Sequence, residues 1–289
     1  MFKKTMKKIL CGALAVTSVV ACMGTMTACE TNHPEVEMKI EFAGETYKLE
    51  YKLYRKVAPN TVNHFIWLAE NGYYNELCVH NYVEDSKLYT GAYSAATDED
   101  DDDGLVYKDY FAFAEKTKKY PHSVWMDREK TIPTYTLYGE FQNNDFQVKN
   151  NPVKESFGSL SMYYHTFDTS ARVYALRADS DDGAVSGREY RYNCATSMFY
   201  INLSNSNTVN KAYATFAMLD KVSKDDLKDL QEAIKEYAEK NYGDEDESFV
   251  KSVSVNVSEH DNVIDETVSV SYKVPQTAIV IKSVKVTKY

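Results

Sequence analysis

The chain offers few cysteines for crosslinking. Of five, Cys11, Cys22 and Cys29 belong to the N-terminal leader. Only Cys78 and Cys194 remain for the folded part, which rules out a disulfide framework. Whether those two pair cannot be read from their spacing. Beyond the leader there is no long apolar run, so no segment reads as a membrane-spanning helix. His33, His122, His165 and His260 lack metal-ligand spacing, and Ser197 lacks the context of a nucleophile elbow. No metal or cofactor is therefore implied. Repeats and low-complexity linkers that would split the chain are missing as well.

What is present begins with Lys3, Lys4, Lys7 and Lys8, followed by an apolar run from Ile9 to about Met23. Its length and small residues suit an export signal. Met26-Thr27-Ala28-Cys29 fits a bacterial lipobox, which makes Cys29 the expected lipidation site and new N-terminus. Cutting at Cys22, or ordinary secretory cleavage near Ala28, are the alternatives. Loss of residues 1–28 removes four lysines and takes the net charge from −10 to −14. So acidic a body argues against nucleic acid as a partner. The expected location is outside the cytoplasm, with a lipid anchor on the cell membrane.

Along the mature chain, residues 29–35 form a polar tether. Val36, Met38, Ile40 and Phe42 then alternate with Glu37, Lys39 and Glu41, and Tyr47, Leu49, Tyr51 and Leu53 repeat the pattern after Gly44. This predicts an antiparallel hairpin. Pro59 suits the first turn of a helix. Val62, Phe65, Ile66 and Ala69 share one of its faces, and Gly72 ends it. His64 falls off that face and reads as a surface or boundary residue. Six consecutive acids at 98–103 read as a solvated loop, and a calcium site there lacks the alternating ligand pattern. A short helix is expected within 107–118. Residues 166–193 read as an insertion whose outer parts extend flanking strands. Ser223 to Asn241 is an amphipathic helix that Ser223 can cap, with Leu227, Leu230, Ile234 and Tyr237 on one face. A hairpin is expected around Asp261-Asn262, and a closing strand from Ile279.

The order of residue types carries a resemblance. Ala58-Pro59-Asn60-Thr61-Val62, Asn63-His64-Phe65, Gly72-Tyr73-Tyr74 and His80 resemble the first helix and following strand of the cyclophilin family of peptidyl-prolyl isomerases. Gly139-Glu140-Phe141, Gly158-Ser159-Leu160-Ser161-Met162, Ser197-Met198-Phe199-Tyr200-Ile201 and Tyr213-Ala214-Thr215-Phe216 are similar to its later landmarks, in the same order. The resemblance implies a mainly β fold: a closed eight-stranded antiparallel barrel capped by two helices. The domain would span 36–289, with insertions near 93–132, 166–193 and 244–272.

It also implies a site. Twisting an X–Pro bond means overcoming a barrier of about 18–20 kcal/mol, which calls for an apolar slot and a donor aimed at the prolyl nitrogen. The family's arginine for that task falls on Asn81, a neutral amide of shorter reach. Losing one preorganised donor typically costs about 10²–10³ in rate. Ser86, Lys87 and Tyr89 replace the family's phenylalanine, methionine and glutamine. Tyr163 replaces a small alanine, Met198 a glutamine, and Tyr213 a histidine, while Tyr200 keeps the aromatic floor of the proline pocket. Asn81, Tyr89 and Tyr213 thus stand at catalytic positions, and Ser86, Lys87, Tyr163, Met198 and Tyr200 at substrate-binding ones. The implied partners are proline-containing segments of exported proteins, bound with reduced or lost isomerisation; the alternative is a non-catalytic peptide-binding module. An arginine from 166–193, Arg188 or Arg191 being nearest in sequence, is the one candidate replacement donor.

Overall fold

The computed structural model describes residues 31–96, 104–145, 152–164, 171–177, 182–190, 194–243, 248–260 and 265–289. Cys29, the acidic run 98–103 and Arg191 fall outside them. No helix among the described residues is long and apolar enough to cross a membrane.

Alternation builds the first hairpin. In β1 (Glu35–Phe42), Val36, Met38, Ile40 and Phe42 are buried and the residues between them half-exposed. Ala43 and Gly44 both have positive φ, 49° and 88°, as in two-residue turns whose twist matches the flanking strands. β2 (Glu45–Leu53) returns with Phe42 opposite Glu45.

The main sheet adds β3 (Leu77–Cys78), β4 (Asn81–Val83), β5 (Lys87–Thr90), β6 (Leu160–Met162), β7 (Phe199–Asn202), β8 (Thr215–Leu219) and β9 (Val280–Lys288). Their spatial order is β3-β9-β1-β2-β8-β6-β7-β5-β4, with antiparallel neighbours throughout. The two edge strands are separated in sequence only by Val79 and His80. Val79 N–H donates to the Ile279 carbonyl at 2.8 Å, and His80 N–H to the Tyr89 carbonyl at 3.0 Å. The sheet therefore curls until one stretch of chain joins its ends. Counted as one bent strand, β3 and β4 bring the number to the eight that the sequence implies.

Inside the curl, Phe65 of α1 (Pro59–Glu70) meets Tyr74, Phe199 and Phe216, with ring centroids 5.0, 5.4 and 5.0 Å away. On the opposite side, α3 (Ser223–Asn241) buries Leu227, Leu230 and Ile234 and sets Tyr237 edge-on to Phe42. Ser223 does not cap that helix. Its hydroxyl accepts the Glu50 N–H of β2, and Asp220 instead receives the Ser223 N–H, both at 2.9 Å.

His64 corrects a second expectation: it is buried, not superficial. The segment after β5 folds back over the outer face of α1 through α2 (Tyr110–Lys116) and Tyr120. His64 consequently packs against Tyr110 and Tyr120, and its Nε2 lies 2.6 Å from the Thr196 carbonyl oxygen. Burial pushes its pKa down to about 4, so the ring is neutral and Nε2–H is the donor.

The inserted segments meet in a second apolar cluster. Arg172–Leu176 pairs with Val185–Glu189 on one side and with Val124–Trp125 on the other, rather than lengthening the flanking strands. Val250–His260 and Asp265–Pro275 form the expected hairpin. Its Val253, Val255, Tyr272 and Val274 join Val173, Ala175, Tyr93 and Met198 in the cluster. Cys78 and Cys194 are both free thiols, Cys78 fully buried.

Candidate functional site

Strand register assembles the site. Directly paired residues put their side chains on the same face of a sheet. Asn81 of β4 lies opposite Tyr89 of β5, Tyr89 opposite Tyr200 of β7, Tyr200 opposite Ser161 of β6, and Ser161 opposite Thr215 of β8. One row of side chains therefore crosses five strands on the outer face. The Ser161 and Thr215 hydroxyls close its far end at 2.8 Å.

Tyrosines crowd the middle of this row. The Tyr89 ring lies 5.4 Å from Tyr200 and 5.0 Å from Tyr163. Tyr213 lies 5.7 Å from Tyr200 and stacks on Tyr163 at 6.1 Å. Lys87, two residues before Tyr89 and so on the same face, holds its Nζ 4.1 Å from the Tyr200 ring centroid and 5.7 Å from that of Tyr213. Glu155 Oε1 is 3.7 Å from that ammonium. Asn210 Nδ2 donates to Glu155 Oε2 at 2.5 Å and to Tyr200 Oη at 3.1 Å. Burial raises the Tyr89 pKa to about 12 and lifts those of Tyr163, Tyr200 and Tyr213. All four phenols stay protonated near neutrality, so none can serve as a general base.

Asn81, expected where a donor arginine would stand, is tied to the inserted hairpin. Its Oδ1 accepts the Lys273 N–H at 2.9 Å. Beneath it, buried His80 is flanked by Tyr93 at 5.0 Å and by Tyr272 of the hairpin at 4.8 Å.

The sequence-selected residues thus divide. Asn81, Lys87, Tyr89, Tyr163, Tyr200 and Tyr213 converge on one face. Ser86 sits in the turn between β4 and β5, bonded through its backbone to Val83 and Leu203. Met198 is buried in the second cluster. Arg188 lies 3.8 Å from Asp145 and over Tyr138; the cation on the Tyr200 ring is Lys87. Sequence reasoning missed Glu155, Asn210 and Lys273. Nothing in their local context marks them, because each acts on a residue far away in the chain.

Glu140 was visible only as part of a landmark. Its carboxylate accepts the Asn60 N–H at 3.0 Å, the Thr61 N–H at 2.8 Å and the Thr61 hydroxyl at 2.7 Å. It thereby satisfies backbone donors that the start of α1 cannot use internally. Beyond Tyr213 opens a cavity of about 470 Å³ lined by Val57, Phe141, Pro152, Val153, Val209 and Asn210. No group of histidine, cysteine or acidic side chains among the described residues is arranged to hold a metal.

Comparison with known proteins adds to this geometry. Residues 36–257 match the family model for cyclophilin type peptidyl-prolyl cis-trans isomerase/CLD. No curated protein matches the sequence. Among solved structures, a cyclophilin type peptidyl-prolyl cis-trans isomerase from Cryptosporidium parvum is 14% identical, covering 89% of this chain and 99% of its own, with a TM-score of 0.42. The same enzyme crystallised in the presence of the dipeptide Ala-Pro is 14% identical over 88% of this chain and 99% of its own, with a TM-score of 0.41.

Proposed function

Because the chain belongs to the cyclophilin-type peptidyl-prolyl cis-trans isomerase family, we propose that it is a lipid-anchored, extracytoplasmic member that holds proline-containing segments of exported proteins with reduced or lost isomerisation. The anchor would be Cys29, and the short tether would keep the domain close to the membrane surface.

One observation carries the loss of activity: the side chain at the donor position, Asn81, is bonded to Lys273 of the inserted hairpin. Isomerisation needs a donor poised over the prolyl nitrogen, where charge develops as resonance is broken. A short neutral amide pinned to a neighbouring strand supplies neither the reach nor the charge. The proline floor supports the same reading, since an ammonium already lies 4.1 Å from the Tyr200 ring. The cavity beside Tyr213, of mixed polar and apolar lining, leaves room for chain flanking the proline.

A proline-peptide isomerisation assay on the mature chain tests this, run beside Asn81→Arg and an arginine-bearing relative. The expected wild-type rate is lower than the relative's by about 10²–10³. The Asn81→Arg variant should recover little, because it gives up the acceptor for the Lys273 N–H and leaves Lys87 on the Tyr200 ring. Wild-type turnover equal to the relative's would end the proposal.

A further inference from the structure

The groove contains a cation among tyrosine faces. The Lys87 ammonium touches Tyr200 and Tyr213, while Tyr89 and Tyr163 close the neighbouring sides through their ring contacts. Glu155, with a side chain only 10% exposed, supplies a negative charge at the wall. Aromatic faces attract an ammonium through their quadrupole, and more strongly where water is excluded. Tyrosine faces with a carboxylate beside them favour an organic cation over a neutral pyrrolidine ring at this point of the groove.

The cation that fills it is loosely held. Its ion pair spans 3.7 Å, against about 2.7–2.9 Å for a well-made charge-assisted bond. Asn210 already engages the other carboxylate oxygen of Glu155. Lys87 is the first residue of β5, next to the turn, and its side chain remains 22% exposed. A four-carbon stem in that position can swing its head into solvent with no change to the sheet.

We infer that Tyr89, Tyr163, Tyr200, Tyr213 and Glu155 form a cation cage, that Lys87 is its internal plug, and that the ligand displacing the plug carries an alkylammonium group, foremost the lysine side chain of a bound polypeptide. The inference rests on this face being the peptide groove. A neutral ring entering the cage must evict the ammonium and leave buried Glu155 without a counter-charge. An incoming lysine replaces the charge it expels. The acidic body of the mature chain adds a long-range pull on basic segments.

Binding to the mature chain, read from tyrosine ring signals during titration, tests this with three probes: N-acetyl-lysine methylamide and its norleucine and proline counterparts. Lys87→Met should bind the lysine probe at least tenfold more tightly than wild type does, and at least tenfold more tightly than it binds the norleucine probe. Adding Glu155→Gln should abolish that preference, and tetramethylammonium should compete for the site. Lys87→Gln carries the same expectation and replaces Lys87→Met should that variant lose its thermal transition. Equal binding of the lysine and norleucine probes by the unplugged variant would overturn the cage. Proline-probe binding that is equally tight in wild type and Lys87→Met would overturn the plug while leaving the peptide-holding role intact. Lysine-selective binding by Lys87→Met, with no polypeptide bound by wild type, would instead support the cage and count against that role.

Discussion

Two buried ionisable groups, His64 within α1 and Glu140 against its first turn, should make stability respond to pH in opposite directions, and replacing Glu140 separates them. Burial raises the Glu140 pKa from 4.5 to about 7, outweighing the donors from Thr61 and Asn60. Its folded-state pKa lies above its unfolded one, so its contribution is fully present below about pH 4.5 and is lost as pH rises through 7. His64 runs the other way: burial lowers its pKa from 6.5 to about 4. Its contribution is present above about pH 6.5 and is lost as pH falls through 4. At about 1.36 kcal/mol per pKa unit, each shift corresponds to about 3 kcal/mol. Between pH 4.5 and 6.5 the two slopes cancel, and wild type should show little pH dependence from this pair.

Glu140→Gln removes the titration. Its one carbonyl oxygen can accept at either the Asn60 or the Thr61 side, and its NH2 faces a donor at the other, a cost that does not vary with pH and so leaves the slope of the difference untouched. The stability difference between wild type and Glu140→Gln should therefore shift by about 3 kcal/mol between pH 4.5 and 7, wild type losing ground as pH rises. Urea unfolding at half-unit pH steps measures it, and comparing the two proteins cancels every other carboxylate. His64→Gln should give the mirror image, with the difference from wild type growing in favour of wild type as pH rises. A wild-type minus Glu140→Gln difference that stays constant across the window would refute the argument.

Three further outcomes are expected. Cys29→Ala should abolish acylation and move the protein from the membrane fraction to the soluble one, measured by fatty-acid labelling and fractionation; unchanged membrane association would remove the anchor. Asn81→Ala removes the acceptor of the Lys273 N–H and should cost about 0.5–1.5 kcal/mol, with faster hydrogen exchange at the Lys273 amide as the local readout. Gly91→Ala should be severely destabilising, by more than about 2 kcal/mol. Its φ is +99° and a Cβ there would lie 2.5 Å from the Ser197 carbonyl oxygen; a thermal midpoint within a degree of wild type would count against this.

The parts of the fold written in local pattern were legible. Strict alternation in Val36, Met38, Ile40 and Phe42 gave β1 its buried face, and the apolar spacing through Leu227, Leu230 and Ile234 gave α3 its own. His64 was misread because helical periodicity assumes one wet face, and no local signal announces that Tyr110 and Tyr120 will cover the other. Ser223 was misread as a cap for a similar reason. Its hydroxyl has a better-placed donor in Glu50, which belongs to a strand laid against it only in three dimensions. At the site, the tyrosines could be selected by their place among family landmarks. Their joint occupation by Lys87, and the tie from Asn81 to Lys273, required the register of five strands and an inserted hairpin.

Those two ties join the groove residues to their neighbours as a set. An arginine at position 81, having no acceptor, would lose the Lys273 contact. A small residue at 163 would uncover one wall of the space around Lys87. A proline ring on Tyr200 would need Lys87 elsewhere. Asn81 and Lys87 each also stabilise a neighbour: the hairpin is anchored by Asn81, and buried Glu155 is compensated by Lys87. Restoring a single family residue therefore breaks a local contact before it can assemble a catalytic one. If isomerisation is reduced as proposed, raising it takes removal of the hairpin contact, unplugging of the cage and a guanidinium over the floor together, so single reversions should lower stability without raising the rate.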